Sequence, residues 1–163
     1  MLKTISLAAL CVVVFATSGK SNGQSLGLNI YGLSYHFLKD NQSRELFNEV
    51  NPGLGIRGTW CTSHNNWTAL EAGIYRDTFR NTAKYATVGY HLRLLKGFRA
   101  GFNVGLYSSE SIRNDEIIII GVPAISYQLS FCIVNVVYLP KFRNINPFNT
   151  LGTYLTIPLI TRK

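Results

Sequence analysis

From Phe98 to Tyr107 the chain alternates strictly, with Phe98, Ala100, Phe102, Val104 and Leu106 on one face and Arg99, Gly101, Asn103 and Gly105 on the other. A period of two marks a β-strand whose two faces meet different surroundings. Tyr85–Leu94 repeats it, setting Ala86, Val88, Tyr90 and Leu92 against Thr87, Gly89, His91 and Arg93. In Gly53–Cys61, Leu54, Ile56 and Trp60 oppose Gly53, Gly55, Arg57 and Thr59; in Trp67–Tyr75, Leu70, Ala72 and Ile74 oppose Ala69, Glu71 and Gly73. Leu28–Phe37, Ile117–Tyr127, Ser130–Tyr138 and Thr150–Ile160 complete eight predicted strands. Each has about the ~10 residues that a tilted membrane-crossing strand needs.

The connections alternate too. Thr62–Asn66, Leu95–Gly97 and the join near Gln128 are short, whereas Lys39–Asn48, Asp77–Lys84, Ser108–Glu116 and Pro140–Asn149 are longer and polar. Short turns on one rim and long loops on the other predict an all-β, eight-stranded antiparallel up-and-down transmembrane barrel. A secreted, lipocalin-like barrel with an apolar interior is the soluble alternative. Parity weighs against it, because Arg57, Glu71, Arg93 and Arg99 share a face with the glycines. Such charges suit a narrow lumen where they can pair, not a face toward hydrocarbon.

Composition narrows the function classes. Of 163 residues only 15% are charged, 47% are hydrophobic, and there are 14 Gly, 9 Tyr and 9 Phe. That excludes a disordered chain and a coiled coil. The net charge of +8 is spread singly along the chain with no basic run, so nucleic acid is not an expected partner. No apolar run reaches the length of a spanning helix.

The first residues predict export. Lys3 precedes an apolar stretch from Ile5 to Phe15, and Ala16-Thr17-Ser18 offers a cleavage site after Ser18; Ser21-Asn22-Gly23 offers a second, near Gln24. Residues 1–24 are therefore read as a signal peptide and 25–163 as the barrel. Removal of the signal leaves Cys61 and Cys132, whose pairing remains open.

No phosphate loop, nucleophile elbow or metal-spaced His/Cys cluster is present, and no cofactor or metal is expected. Of the three histidines, His64 falls in a short turn and His91 on the inward face as a packed polar residue. Topology singles out His36. It closes the first strand as Asp77 closes the third, and both strands run toward the same rim. Parity places His36 inward with Ile30, Gly32 and Ser34, and Asp77 inward with Glu71, Gly73 and Tyr75. Thr78 adds a hydroxyl. A base, a carboxylate and a hydroxyl at one barrel mouth suit acyl transfer, while three ordinary loop-edge polar residues are the plainer alternative.

Tyr35-His36 followed by Phe47-Asn48-Glu49-Val50-Asn51-Pro52-Gly53-Leu54-Gly55 resembles the first strand, loop and second strand of the lipid A palmitoyltransferase (PagP) family. Asn66-Trp67, Tyr75-Arg76-Asp77-Thr78-Phe79-Arg80-Asn81, Pro123-Ala124-Ile125-Ser126-Tyr127 and Tyr138-Leu139-Pro140 are similar to later stretches of that family, in order, from about Ile30 to Ile157. The resemblance implies a monomeric barrel in a bacterial outer membrane that moves a palmitoyl-type chain from a phospholipid donor to lipid A. It implies catalytic roles for His36, Asp77 and Thr78, the last in place of the family's serine. It further implies that Arg113 contacts substrate from an outer loop and that Gly89 forms the floor of an acyl-chain pocket. A small outer-membrane barrel with a structural, lipid-binding or surface-interaction role is the alternative.

Overall fold

The computed structural model describes residues 23–37, 47–62, 64–112, 115–142 and 146–162. The predicted signal residues up to 22, and Arg113, lie outside them. Among the described residues there is no α-helix. Eight strands form one closed antiparallel barrel: β1 (Gln24–His36), β2 (Val50–Cys61), β3 (Trp67–Arg76), β4 (Thr82–Arg93), β5 (Phe98–Ser109), β6 (Ile118–Gln128), β7 (Ile133–Leu139) and β8 (Thr150–Arg162). Closure comes from β1, which pairs with both β2 and β8.

Alternation sorts the side chains as the pattern predicts. Arg57, Glu71, His91 and Arg99 are buried inward, while Leu54, Ile74, Val88, Phe102, Val104 and Ile119 are exposed outward. Arg93 keeps the inward phase but sits at the last position of β4, where the lumen opens, and is exposed.

One placement differs. Ile30 pairs with Leu54 and Leu155 and faces outward, whereas Asn29 and Tyr31 face the lumen. The cause is a bulge: Tyr31 and Leu33 oppose the consecutive residues Tyr154 and Thr153, so Gly32 is an extra residue in β1. An unpaired residue resets the two-residue phase. Below Gly32 the inward set is Asn29 and Tyr31; above it, Ser34 and His36.

The join between β3 and β4 is also shorter than expected. Residues 77–81 form a tight turn, because the Asp77 carboxylate accepts the backbone N–H groups of Phe79 and Asn81, both at 2.9 Å. Arg80 takes the left-handed conformation that this turn requires (φ 65).

The lower lumen, toward the short turns, is filled by a polar network. Arg57 meets Glu71 at 3.4 Å and Asn135 at 2.9 Å, and Glu71 accepts from Asn29 at 2.9 Å and Tyr154 at 3.0 Å. Thr156 links Asn29 to Asn135, donating to the first at 2.6 Å and accepting from the second at 2.9 Å. Beneath it the Arg99 guanidinium stacks 3.5 Å over the Trp67 ring. Charges taken out of water are tolerable only with such partners. Cys61 and Cys132 are both free thiols.

The seam between β6 and β7 is incomplete. Only Ala124–Gln128 pairs with β7, although β6 pairs with β5 from Ile118 through Tyr127. Pro123 has no N–H to donate, and the ladder to β7 stops beside it.

Candidate functional site

Above the polar network four tyrosines close the barrel at mid-height. Tyr31 packs against Tyr75 and Tyr154, each with centroids 5.3 Å apart, and edge-on against Tyr85 at 5.8 Å; the Tyr31 and Tyr85 hydroxyls are hydrogen-bonded. Over this layer lies a cavity of about 190 Å³, walled by Tyr107, Ile120, Val122, Val137 and Leu139 and open toward the long-loop rim. Its β6 and β7 walls are the strand ends that flank the unpaired seam.

At the cavity mouth β1 and the 77–81 turn bring two predicted residues together. His36, buried beside Thr150 of β8, shares a 2.9 Å hydrogen bond through Nε2 with Thr78 Oγ1. Its ring stacks on Phe47 (centroids 5.4 Å), which packs in turn on Phe79 and Phe148. His36 Nδ1 has no partner among the described residues. Thr78 lines the cavity, so the hydroxyl–imidazole pair stands between cavity and rim.

Asp77 occupies the same rim but is turned away from the histidine. Besides its two backbone bonds it accepts the hydroxyls of Ser109 at 2.5 Å and Ser111 at 2.6 Å. Among the described residues no hydrogen bond joins it to His36. Its geometric role is to fix the turn that presents Thr78, whose carbonyl also receives the Asn48 N–H at 2.9 Å.

Gly89 does not line the cavity. Its cross-strand partner Asn103 folds over it to bond His91 Nε2 at 3.0 Å, and a Cβ at position 89 would overlap Asn103 Oδ1. The cavity floor is the tyrosine layer with Glu71, Thr87 and Asn103. His91 is a fully buried structural residue and His64 an exposed turn residue.

The sequence reading assigned no site role to Ser34, Asn51, Ser109 or Ser111, all in or beside the mouth. Ser34 Oγ and Asn51 Oδ1 are buried at the cavity wall without a hydrogen-bond partner among the described residues. It also missed the tyrosine floor, though the signal was there: Tyr75 and Tyr154 share the inward phase of their strands with Glu71 and Thr156. Among the described residues no group of His, Cys, Asp and Glu is arranged to hold a metal ion.

In chemical terms the site pairs a base and a hydroxyl with a cavity whose exposed lining is mostly apolar. No family model and no curated relative matches the chain.

Proposed function

We propose that this protein is an acyltransferase of the outer membrane, moving a fatty acyl chain from a phospholipid to lipid A, in the manner of the lipid A palmitoyltransferases that its sequence resembles. The observation that carries the reading is the His36–Thr78 hydrogen bond at the mouth of an apolar cavity inside a closed barrel. The outward band of exposed Leu, Ile, Val and Phe suits hydrocarbon, and the buried ionic network suits a lumen sealed from it. The unpaired β6–β7 seam offers an acyl chain in the bilayer a sideways path to the cavity.

In this reading the donor's acyl chain lies in the cavity with its ester carbonyl at the mouth. His36 Nε2, in the tautomer protonated on Nδ1, is the general base; its lone pair accepts from Thr78 at rest and passes to the acceptor hydroxyl, which displaces the Thr78 hydroxyl from it. It takes the proton of the acceptor hydroxyl as that oxygen bonds to the carbonyl carbon. The ester C–O bond then breaks, and the lysophospholipid oxygen leaves with the proton returned from the imidazole. Thr78 positions the ring, and Asp77 positions Thr78.

A non-catalytic barrel is the second reading, favoured by the four hydrogen bonds that already occupy the Asp77 carboxylate. Mass spectrometry of lipid A from cells with and without the gene separates the two. A species heavier by one acyl chain, present only with the intact gene and absent with His36→Ala, supports the enzyme. Identical lipid A in all three strains overturns it.

A further inference from the structure

The two ends of the barrel differ in charge. Apart from Glu71 in the lumen, every Asp and Glu of the chain lies in or beside the segments joining β1 to β2, β3 to β4 and β5 to β6. The opposite end holds none: residues 61–67, 93–98 and 128–133, and the adjoining ends of β1 and β8, carry Arg93, Lys96 and Arg162 exposed, with no acid among them.

The turns at that end also differ from one another. The β2–β3 turn is polar (Thr62, His64, Asn65, Asn66). The β4–β5 and β6–β7 turns expose Leu94, Leu95 at 70%, Leu129 and Phe131 at 72%, where water-facing hairpins ordinarily carry polar residues. The two turns form one surface: Gln128 N–H donates to Gly97 C=O at 2.8 Å, and Phe98 packs on Tyr127 with centroids 4.3 Å apart. The apolar band of the barrel wall therefore runs through Leu92, Phe98 and Tyr127 into these turns without a polar break. At the other rim the band ends on exposed Ile117, just before β6, and on Phe37, just after β1, with Lys84 and its ion pair to Asp115 (3.5 Å) at that same rim.

We propose that the β4–β5 and β6–β7 turns form an interfacial anchor that sinks into the headgroup layer and binds the phosphodiester of an anionic phospholipid. Leu95 and Phe131 enter the acyl boundary, the Phe98–Tyr127 pair sits at headgroup depth, and Arg93 and Lys96 meet the phosphate. Aromatic and aliphatic side chains beside basic ones, with no acid, are the chemistry of a membrane interface. The proposal rests on the membrane-spanning reading.

The test is spin-label lipid selectivity of the full chain refolded into phosphatidylcholine bilayers. Spin-labelled phosphatidylglycerol is expected in the motionally restricted shell in excess over spin-labelled phosphatidylcholine, about fivefold at a site where one basic residue engages the headgroup. The excess should fall toward unity in Arg93→Gln/Lys96→Gln and persist in the charge-matched control Arg76→Gln/Lys141→Gln at the other rim. Equal restriction of the two lipids by the unaltered protein, or equal losses in both double variants, overturns the anchor while leaving the spanning barrel intact. No restricted component with either lipid means that the chain does not enter bilayers, which overturns the spanning reading and the anchor with it.

Discussion

His36 Nε2 and Thr78 Oγ1, from strand β1 and the β3–β4 turn, lie 2.9 Å apart although 42 positions separate them in the chain. Two features produce the contact: the Gly32 bulge, which turns His36 inward, and the Asp77 cap, which holds Thr78 against it. If His36 is the base, His36→Ala should lower acyl transfer about 10²–10⁴-fold. Thr78→Val, losing one hydrogen bond, should cost about tenfold, and Thr78→Ser should keep the rate. Single-turnover assays of lipid A acylation in mixed micelles provide the measurement; undiminished transfer by His36→Ala removes the base from its role.

Asp77 should behave differently from His36. Asp77→Asn keeps an oxygen for the two turn N–H groups but loses the charge-assisted bonds from Ser109 and Ser111. A rate loss of the same order as Thr78→Val is expected, with the barrel still folded. A loss as deep as that of His36→Ala would mean that the carboxylate acts on the histidine directly.

Chain length should depend on the tyrosine floor and not on Gly89. Tyr31→Ala opens the mid-barrel layer and, if the proposed acyl transfer holds, should let a longer chain be transferred, read from the mass of the lipid A product. Gly89→Ala displaces Asn103 from His91 and should lower stability by about 1–3 kcal/mol while leaving the chain preference unaltered. A shift of preference with Gly89→Ala would return the floor to that position.

The lumen network should dominate stability. Glu71→Ala leaves Arg57 buried without its carboxylate, Tyr154 without its acceptor and Asn29 Nδ2 with only its 3.3 Å bond to the Tyr31 hydroxyl, which should cost about 3–5 kcal/mol. Reversible guanidinium unfolding in detergent micelles reads this out, and a loss under 1 kcal/mol would show that water replaces the carboxylate.

Closure itself has a gel signature. With every strand paired on both sides, the folded barrel should resist dodecyl sulfate and migrate apart from a boiled sample, and it should fractionate with outer membrane. Recovery as a soluble monomer would return the soluble-barrel alternative.

The existence and number of strands were legible because each strand alternates between an apolar outer face and a largely polar lumen at every second residue. Their ends were less so. Thr82 and Lys84 face outward near the rim, where polar residues are tolerated, so alternation fades there and the 77–81 turn reads as a longer loop. The first strand carries its pattern down to Gln24, but glycine at 27 and 32 fits either face and hides the phase change. In the site, His36 and Thr78 were legible from topology. The serine partners of Asp77 were not, since they come from the end of β5, and only the strand register shows that it reaches the third strand's turn across β4.

Gly32 gives β1 a reading frame. No atom lies within 4 Å of the place where its Cβ would stand, so the position tolerates a side chain; what it cannot lose is a residue. Loops can lengthen or shorten by any number, and uninterrupted strands by even steps that keep each face. Removing residue 32 alone would instead turn Ser34 and His36 to the outer face of the barrel and bring Leu33 and Tyr35 inward. At this point a one-codon deletion is a harsher change than any conservative substitution.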